Sequence, residues 1–246
     1  MVLFLFNPSE REQPPKEPEK SGFFRRADES AGTISGEILG GTFMEIVKSM
    51  GKIKKVDIEQ ADKFILKNKL WGCDNYMASV YAQIAYDDEG FKVRFTVGES
   101  NPLREKEQHL KFVHEDSCVE FFANFLPEKT DKYINFEVNA AGAMNVAFRS
   151  NRNDGVPLRL EEIEGFCITP EIKENYWCVT YKVGYDFIKK YYPDFDINSC
   201  DYIKGNFYKC GDKTEIEHYL SYFKVGTEQP DFHRPEFFGK ISVEES

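Results

Sequence analysis

Hydrophobic and polar residues alternate in short runs from Lys52 to the end of the chain. Alternation with a period of two is typical of β-strands that bury one face. Every second residue from Phe91 to Val97 is apolar, and a similar apolar run covers residues 79–86. The turn-forming sequence DDEG at residues 87–90 separates these two runs, which therefore predict a β-hairpin.

Similar runs predict the remaining strands. They cover residues 117–125, 133–139, 144–148, 166–168, 176–183, 206–210, 219–223 and 240–243. Residues 186–192, which Pro193 follows, have the pattern of a short helix. Many short strands with little helix are typical of sandwiches and jelly rolls. We therefore predict an all-β fold, an antiparallel, jelly-roll-like β-sandwich with one short helix.

The first 43 residues differ from the rest of the chain. Residues 7–43 contain clustered proline, glycine, glutamate and lysine without a sustained period, as is typical of flexible segments. We predict a flexible leader over residues 1–43 and one folded domain over residues 44–246. Because a more ordinary pattern begins at Met44, the sequence leaves open whether the leader belongs to the natural folded chain.

The charge balance narrows the range of partners. The 246-residue chain has a formal net charge of −10, whereas nucleic acids and anionic membranes are bound through clustered lysine and arginine. No segment approaches the roughly 20 apolar residues of a membrane helix, and the apolar residues 1–6 are too few for a signal peptide. We therefore expect neither nucleic acid nor membrane as a partner. The default location is cytoplasmic, and an extracellular one applies if the true start differs.

Candidate metal ligands are few. The six cysteines lack the CxxC spacing of zinc sites, and Cys118 lies in an apolar strand pattern that predicts a buried thiol. Asp87, Asp88 and Glu89 offer hard oxygen ligands for calcium, although acidic residues at such positions usually only form the turn. The sequence thus predicts no certain cofactor and leaves a structural calcium ion open.

The strand predicted over residues 133–139 places its polar side chains on one face. That face carries Tyr133, Asn135, Glu137 and Asn139. The apolar residues between them should enter the core. In the preceding strand, Glu120 also alternates with core-facing residues. If the two strands pair, Glu120 and Glu137 lie on one surface among amides and aromatic rings.

Such a surface is suited to a sugar. Carboxylates and amides bind neighbouring hydroxyl groups, and an aromatic ring covers the apolar face of a pyranose. The same residues could instead form the solvated outer face of an antiparallel sheet. A pair of carboxylates about 5 to 9.5 Å apart also serves glycosidases, so the sequence keeps an enzyme open. The GxSxG, HExxH, P-loop and GxGxxG motifs are all absent.

Several segments resemble carbohydrate-binding module family 9. Residues 113–122 (VHEDSCVEFF) resemble the DS-x-VE-x-F strand of that family, and residues 133–139 resemble the strand that follows. Residues 99–102, 206–212 and 230–239 are similar to the branch described as family 9-like or DOMON-like. The resemblance covers the chain from about residue 52 to its end, with the segments in the family's order.

The resemblance implies a β-sandwich, often with bound calcium, that holds a terminal sugar between two tryptophans. Glu120 corresponds to a sugar-contacting carboxylate, Glu137 to a position where characterised members have an arginine, and Phe232 to the second clamp ring. The first clamp tryptophan corresponds to Val113, which cannot stack on a sugar. Phe112, His114 and Trp71 are the candidates to replace that tryptophan, and Trp177 is expected in the core.

We therefore predict a non-catalytic protein that binds a mono- or oligosaccharide, at a chain end or at an internal unit. The predicted sugar-binding residues are Glu120, Glu137, Asn139, Phe232, His233, Tyr208, Lys209 and Trp71. The alternatives are a glycoside-active enzyme that uses Glu120 and Glu137, and a sandwich interaction domain that has lost the sugar site. Any catalytic partner is expected to be a separate carbohydrate-active enzyme.

Overall fold

The computed structural model describes residues 51–244. The leader predicted over residues 1–43 lies outside the described residues, as does the boundary proposed at Met44. The division of the chain into a leader and a folded domain therefore stays a prediction.

Fourteen strands and two α-helices lie within residues 51–244. The strands are β1 (Ile53–Lys54), β2 (Lys63–Ile65), β3 (Asn68–Lys69), β4 (Val80–Tyr86), β5 (Gly90–Val97), β6 (Cys118–Asn124), β7 (Tyr133–Asn139), β8 (Met144–Arg149), β9 (Val156–Pro157), β10 (Thr169–Ile172), β11 (Trp177–Gly184), β12 (Tyr202–Gly211), β13 (His218–Ser221) and β14 (Gly239–Glu244). The helices are α1 (Leu160–Glu164) and α2 (Tyr185–Tyr191). Short 3₁₀ turns cover Ile58–Gln60, Val113–Glu115, Ile197–Ser199 and Pro235–Phe237.

The strands form two layers that are joined at one edge. The first layer has the order β10-β11-β5-β4, and β2 pairs with the beginning of β4. The second layer has the order β14-β12-β6-β7-β8-β9, and the end of β12 also pairs with β13. All of these pairs are antiparallel. β1 pairs in parallel with both β4 and β14, so the two layers are parts of one curled, mixed sheet.

Aromatic side chains fill the space between the layers. Phe207, Phe121 and Phe136 are register partners on neighbouring strands of the second layer. The rings of Phe207 and Phe121 stack with centroids 4.8 Å apart. From the first layer, Phe95 approaches Phe207 to 5.9 Å and Tyr181 approaches Phe136 to 6.0 Å. Aromatic pairs at such distances contribute about 0.5–1.5 kcal/mol each beyond the area they bury, so these rings hold the two layers together.

A second apolar cluster lies on the opposite face of the second layer. Its buried members are Leu70, Val113, Cys118, Phe122, Tyr133, Ala143, Tyr208, Cys210, Val225 and Phe232. Strand residues supply about half of this cluster, and loops supply the rest. The outer face of β6, β7 and β12 is therefore covered by loops in this region instead of facing water. This covering creates the concave surface on which the candidate site lies.

The predicted β-sandwich is confirmed, with differences in its small elements. β7 spans the predicted residues 133–139, and the predicted helix is α2. The structure has α1 in addition, and residues 166–168 form no strand. Because α1 is only five residues long, it is too short to show a helical period. Within residues 51–244, no helix has the length and apolar character that crossing a bilayer requires.

Cys118 and Trp177 are buried, as the sequence predicts. All six cysteines are free thiols, and Cys118 is fully buried in β6. Trp177 is fully buried in the core between the layers.

Candidate functional site

A polar row crosses the outer face of the second layer. Glu120 in β6 is the register partner of Glu137 in β7, and Glu137 is the partner of Asn145 in β8. Directly opposite side chains in antiparallel strands have Cβ atoms about 4.5–5.5 Å apart. Both carboxyl groups and the amide therefore lie side by side, as the alternation of the two strands predicts for Glu120 and Glu137.

This row lies in a cleft of about 460 Å³. The lining residues are Trp71, Leu110, Lys111, Phe112, His114, Glu120, Glu137, Asn145, Arg149, Arg152, Cys210, Asp212, Tyr219, Pro230, Asp231, Phe232 and His233. Strands supply the acidic and amide groups, whereas loops supply most of the rings and charged side chains. Cleft volumes of roughly 300–1,000 Å³ are usual for small-molecule sites, so one or two sugar units match the available space.

Glu137 is held by two amide side chains. Its Oε1 accepts a hydrogen bond from the Asn135 amide at 2.8 Å, and its Oε2 accepts one from the Asn145 amide at 3.1 Å. Burial raises the pKa of Glu137, although these hydrogen bonds and the nearby positive charges of His114 and Arg149 act against the rise. Its orientation in the cleft is thus fixed without an ion pair.

Glu120 lies in an even less polar environment. Its side chain accepts a hydrogen bond from the Cys210 thiol at 3.1 Å. Burial raises the pKa of Glu120 well above its usual range, and the neighbouring Cys210 and Glu137 add to the rise. A carboxyl group in its neutral form both donates and accepts hydrogen bonds. Glu120 can therefore donate a hydrogen bond to a ligand hydroxyl oxygen as well as accept one.

An aromatic stack forms one part of the cleft. The ring of Phe232 lies parallel to that of Tyr208, with centroids 4.1 Å apart and an angle of 14°. Trp71 packs against Phe232 at 5.4 Å and against Tyr219 at 5.3 Å. The indole nitrogen of Trp71 also donates to the Thr227 carbonyl at 2.8 Å. Phe232 is thus supported from below by Tyr208 and held at its side by Trp71.

A second aromatic ring reaches the cleft from the loop before β6. Phe112 is 64% exposed and lines the cleft, whereas the next residue, Val113, is fully buried in the outer apolar cluster. His114 also lines the cleft and contacts Phe112 edge to face at 6.0 Å. Of the three candidates for the missing first clamp ring, Phe112 presents the largest open apolar face.

His233 contributes an uncharged hydrogen-bonding group to the site. Its Nδ1 lies 3.1 Å from the Tyr133 hydroxyl, and its ring packs 4.8 Å from that of Phe122. Burial lowers the pKa of His233 to about 3, with further lowering by the charges of Arg149 and Arg152. The imidazole is therefore uncharged at neutral pH and serves as a hydrogen-bonding group.

Five of the eight residues predicted for the site line the cleft, and three do not. Those that line it are Trp71, Glu120, Glu137, Phe232 and His233. Tyr208 is fully buried under Phe232, where its ring supports the stack without reaching the cleft. This position corrects the expectation that Tyr208 itself contacts the ligand.

Asn139 serves the fold instead of the cleft. Its amide nitrogen donates to the Lys106 carbonyl at 2.7 Å and to Asp116 at 2.8 Å. Its oxygen accepts from the backbone amides of Ala141 at 3.2 Å and Ala143 at 2.9 Å. The side chain lies at the end of β7, where turn amides and a loop carbonyl use both its donor and acceptor groups. The predicted ligand contact by Asn139 is therefore corrected.

Lys209 points to the other face of the sheet. Its Nζ lies 2.5 Å from His218 Nε2 and 3.4 Å from a Glu99 oxygen, in the interior between the layers. Tyr208 pairs with Glu120 on the cleft side, and successive side chains of a strand point to opposite faces. Lys209 therefore cannot reach the cleft, which corrects its predicted role.

Several lining residues were missed from the sequence. Asn145 could have been found, because the predicted strand 144–148 pairs with β7 and places this amide beside Glu137. Arg149 lies one residue beyond that predicted strand. Arg152 and Asp212 follow strands in loops, where no periodic pattern indicates their direction.

One side-chain group has the spacing of a metal site. Within residues 51–244, Cys118, Glu120 and Cys210 bring ligand atoms within 4.8 Å of one another. Burial raises the pKa of Cys118 to about 11, which opposes the thiolate form that zinc requires. These soft ligands do not suit calcium, which prefers oxygen donors. The group is therefore better described as a buried hydrogen-bonded cluster at the base of the cleft.

The acidic turn before β5 does not resemble a calcium site. One oxygen of Asp87 accepts the backbone amides of Glu89 at 2.8 Å and Gly90 at 3.1 Å. Asp88 forms an ion pair with Lys55. These contacts fit the turn-forming role that such residues usually have.

Solved structures of carbohydrate-binding modules share this fold. A module of family 9 from Caldicellulosiruptor kristjanssonii in complex with cellotriose aligns with a TM-score of 0.58 at 10% identity, covering 80% of this chain and 94% of that one. The same family's structure with glucose, from the same organism, aligns with a TM-score of 0.51 at 11% identity, covering 88% and 93%. The architecture is therefore the β-sandwich fold that these modules have.

Sequence similarity identifies the family. A candidate carbohydrate-binding protein from Bacteroides uniformis has 28% identity and a TM-score of 0.62, covering 73% of this chain and 85% of that chain. The family model of carbohydrate-binding family 9 matches residues 52–243. The chain belongs to carbohydrate-binding family 9, as its strand sequences predict. The comparison with curated proteins gave no significant match.

Proposed function

We propose that this protein binds a saccharide in the cleft on the outer face of its second layer and does not catalyse a reaction. The observation that carries the proposal is the polar row of Glu120, Glu137 and Asn145 beside the supported ring of Phe232. Membership of carbohydrate-binding family 9 supports the ligand class.

The row and the rings match the two faces of a sugar unit. Neighbouring hydroxyl groups need donors and acceptors at fixed spacing, which Glu120, Glu137 and Asn145 offer along one line. Phe112, which is 64% exposed, supplies an open apolar face for the C–H side of the ring, and Phe232, which is 7% exposed, lines the cleft beside the polar row. Each neutral hydrogen bond contributes only about 1 kcal/mol after the loss of hydration, so we expect modest affinity.

The shared environment of the two carboxyl groups argues against a glycosidase. Hydrolysis of a glycoside by a carboxyl pair needs one proton donor and one ionised base or nucleophile. Burial raises the pKa of both Glu120 and Glu137. Both oxygens of Glu137 accept amide hydrogen bonds, and Glu120 accepts one from the Cys210 thiol, so both carboxyl groups are held as fixed polar contacts, which supports binding without turnover.

The test is a titration of the full chain with glucose and cellotriose by isothermal calorimetry, followed by an array of other glycans. We expect saturable binding to at least one sugar and no release of product from cellotriose. Phe232→Leu should weaken binding about three- to tenfold through the loss of the aromatic face. The matched control is Phe223→Leu, which alters a partly buried ring outside the cleft.

Two results would replace the proposal with another function. Turnover that Glu120→Gln abolishes would establish an enzyme. Flat titrations against the whole array, from a protein with the expected circular dichroism, would favour an interaction domain without a sugar site. A separate carbohydrate-active enzyme as partner stays a prediction.

A further inference from the structure

Two cationic side chains that line the cleft, Arg149 and Lys111, form no ion pair within residues 51–244, and Arg149 is the less exposed of the two. Arg149 ends β8 and lines the cleft. Among the side chains of residues 51–244, no carboxylate lies within ion-pair distance of its guanidinium group. Its Nη1 donates to the Arg152 carbonyl at 3.0 Å, and its Nε is buried without a hydrogen-bond partner. An arginine is always charged, so this group has unused donors.

The loop after β8 holds the guanidinium group in place. Asp154 accepts the backbone amides of Ser150 and Asn151, each at 3.0 Å, and closes a tight turn. Gly155 follows, and a Cβ atom at this position would lie 2.6 Å from Arg149 Cζ. The guanidinium group therefore occupies space that only a glycine at position 155 leaves free.

Two acidic side chains of the cleft, Asp231 and Glu137, are engaged with other partners. Asp231 is paired with Arg152 at 3.0 Å. Both oxygens of Glu137 accept hydrogen bonds from amides, those of Asn135 and Asn145. The positive charge of Arg149 is therefore not offset by an ion pair within residues 51–244.

We propose that the natural ligand is an anionic sugar whose carboxylate or sulfate group is bound by the guanidinium group of Arg149. This inference rests on the proposed function and names the class of saccharide. A guanidinium group binds carboxylate and sulfate oxygens through parallel, charge-assisted hydrogen bonds, which are stronger than neutral ones. Nε is buried beside Gly155 and does not face the ligand, so the donors left for such contacts are those of Nη2 and the second N–H of Nη1.

The experiment compares matched neutral and anionic sugars on the full chain. The pairs are glucose with glucuronic acid and galactose with galacturonic acid, and galactose 6-sulfate distinguishes a sulfate from a carboxylate. At least one anionic sugar should bind about tenfold or more tightly than its neutral counterpart at low salt. That advantage should shrink in 0.5 M salt, whereas binding of neutral sugars should not change.

Two variants separate the charge of Arg149 from its position. Arg149→Gln should remove the advantage of the anionic sugar and change the affinity for neutral sugars by less than about threefold. Gly155→Ala keeps the charge but displaces the guanidinium group, so it should also reduce the advantage. Arg104→Gln removes one charge from an exposed arginine outside the cleft and should leave both affinities unchanged.

The outcomes distinguish this inference from the proposed function. If neutral sugars bind and no anionic sugar binds more tightly, the inference is wrong and the sugar site stands. If the advantage persists in Arg149→Gln, another group recognises the anion and the inference is also wrong. If neither kind of sugar binds, both proposals fail together.

Discussion

Phe112 and Val113 are neighbours in the chain but lie in opposite environments. Phe112 is 64% exposed at the cleft, and Val113 is fully buried beneath it. The 3₁₀ turn that begins at Val113 directs these two side chains apart. Val113 therefore anchors the loop in the apolar cluster, and Phe112 is the candidate ligand contact. The ring of Phe112 can be removed without opening that cluster.

Phe112→Ala should weaken sugar binding about three- to tenfold, because it removes one aromatic face from the cleft. Stability should change by less than about 0.5 kcal/mol, as is usual for substitutions of exposed side chains. Calorimetric titration and urea denaturation measure the two effects. Tyr176→Ala is the control, since Tyr176 is 39% exposed and lies outside the cleft. Equal affinities for Phe112→Ala and the unmodified chain would exclude this ring from the site.

Strand alternation predicted some site residues well and others poorly. Glu120 and Glu137 lie in the middle of paired strands, where a period of two determines the face. Asn139 ends β7, and there turn amides determine the direction of its side chain. Tyr208 and Lys209 are consecutive in β12, so the same alternation rule shows that only one of them can face the cleft. The sequence alone did not indicate that Phe232 would cover Tyr208.

The loop between β3 and β4 turns sharply to bring Trp71 onto Phe232. Trp71 has a φ of +52° and Gly72 a φ of +81°, so two consecutive residues adopt the left-handed region. This region is unfavourable for side chains with a Cβ atom and is readily accessible to glycine. The strain at Trp71 is offset by its contacts with Phe232, Tyr219 and the Thr227 carbonyl.

Gly72→Ala should destabilise the protein by about 1–2 kcal/mol, because alanine pays the cost of the left-handed conformation. Steric clash does not contribute, since no atom lies within 4 Å of the added Cβ. Gly184→Ala is the matched control, because Gly184 has a φ of −67° and its added Cβ would lie 3.7 Å from the nearest atom. Urea denaturation of both variants gives the difference, and equal stabilities would show that the turn at Gly72 is not required.

The sequence predicted the long strands better than the short elements. Long strands such as β5 and β7 were found because apolar and polar residues alternate along seven or more residues. β1 has two residues, and its parallel pairing with β4 and β14 depends on a distant part of the chain. Helix α1 is similarly short. Such elements are fixed by tertiary contacts, which a local pattern does not contain.

A buried polar network joins the two layers on the side away from the cleft. Glu99, which follows β5, accepts hydrogen bonds from Tyr76 at 2.6 Å and Trp177 at 2.7 Å. Lys209 in β12 lies 3.4 Å from Glu99 and 2.5 Å from His218 in β13. The Tyr76 and His218 rings stack with centroids 3.7 Å apart. His218 thus connects Lys209 of the second layer with Tyr76 and Glu99, and the network depends on the protonation state of its imidazole.

His218 is neutral in this network. Its Nδ1 donates to the Ile216 carbonyl at 2.7 Å, so its Nε2 accepts a hydrogen bond from the Lys209 ammonium group. Burial and the positive charge of Lys209 together lower the pKa of His218 to about 4, while Glu99 acts against this shift. A proton on Nε2 would face an ammonium group at close range, which is why the neutral form is favoured.

We expect the stability that His218 contributes to be lost as the pH falls from about 6.5 to about 4. A depressed pKa means that the unfolded chain binds the proton in this interval and the folded chain does not, so acid favours unfolding. The lowering from 6.5 to about 4 corresponds to about 3 kcal/mol at about 1.4 kcal/mol per pKa unit. We measure the free energy of unfolding in urea at several pH values. As the pH falls, this free energy should therefore decrease more steeply for the full chain than for His218→Gln.

The comparison with His218→Gln is needed because other buried groups also titrate. His233 has a lowered pKa and adds to the acid sensitivity, whereas the raised pKa of Glu120 and Glu137 makes their contribution greatest at low pH and reduces it as the pH rises. These contributions are the same in both proteins and cancel in the difference. A difference that stays constant from pH 7 to pH 4 would show that His218 takes up its proton at the same pH in the folded and the unfolded chain. The contacts with Ile216 and Lys209 would then need a different assignment of donors.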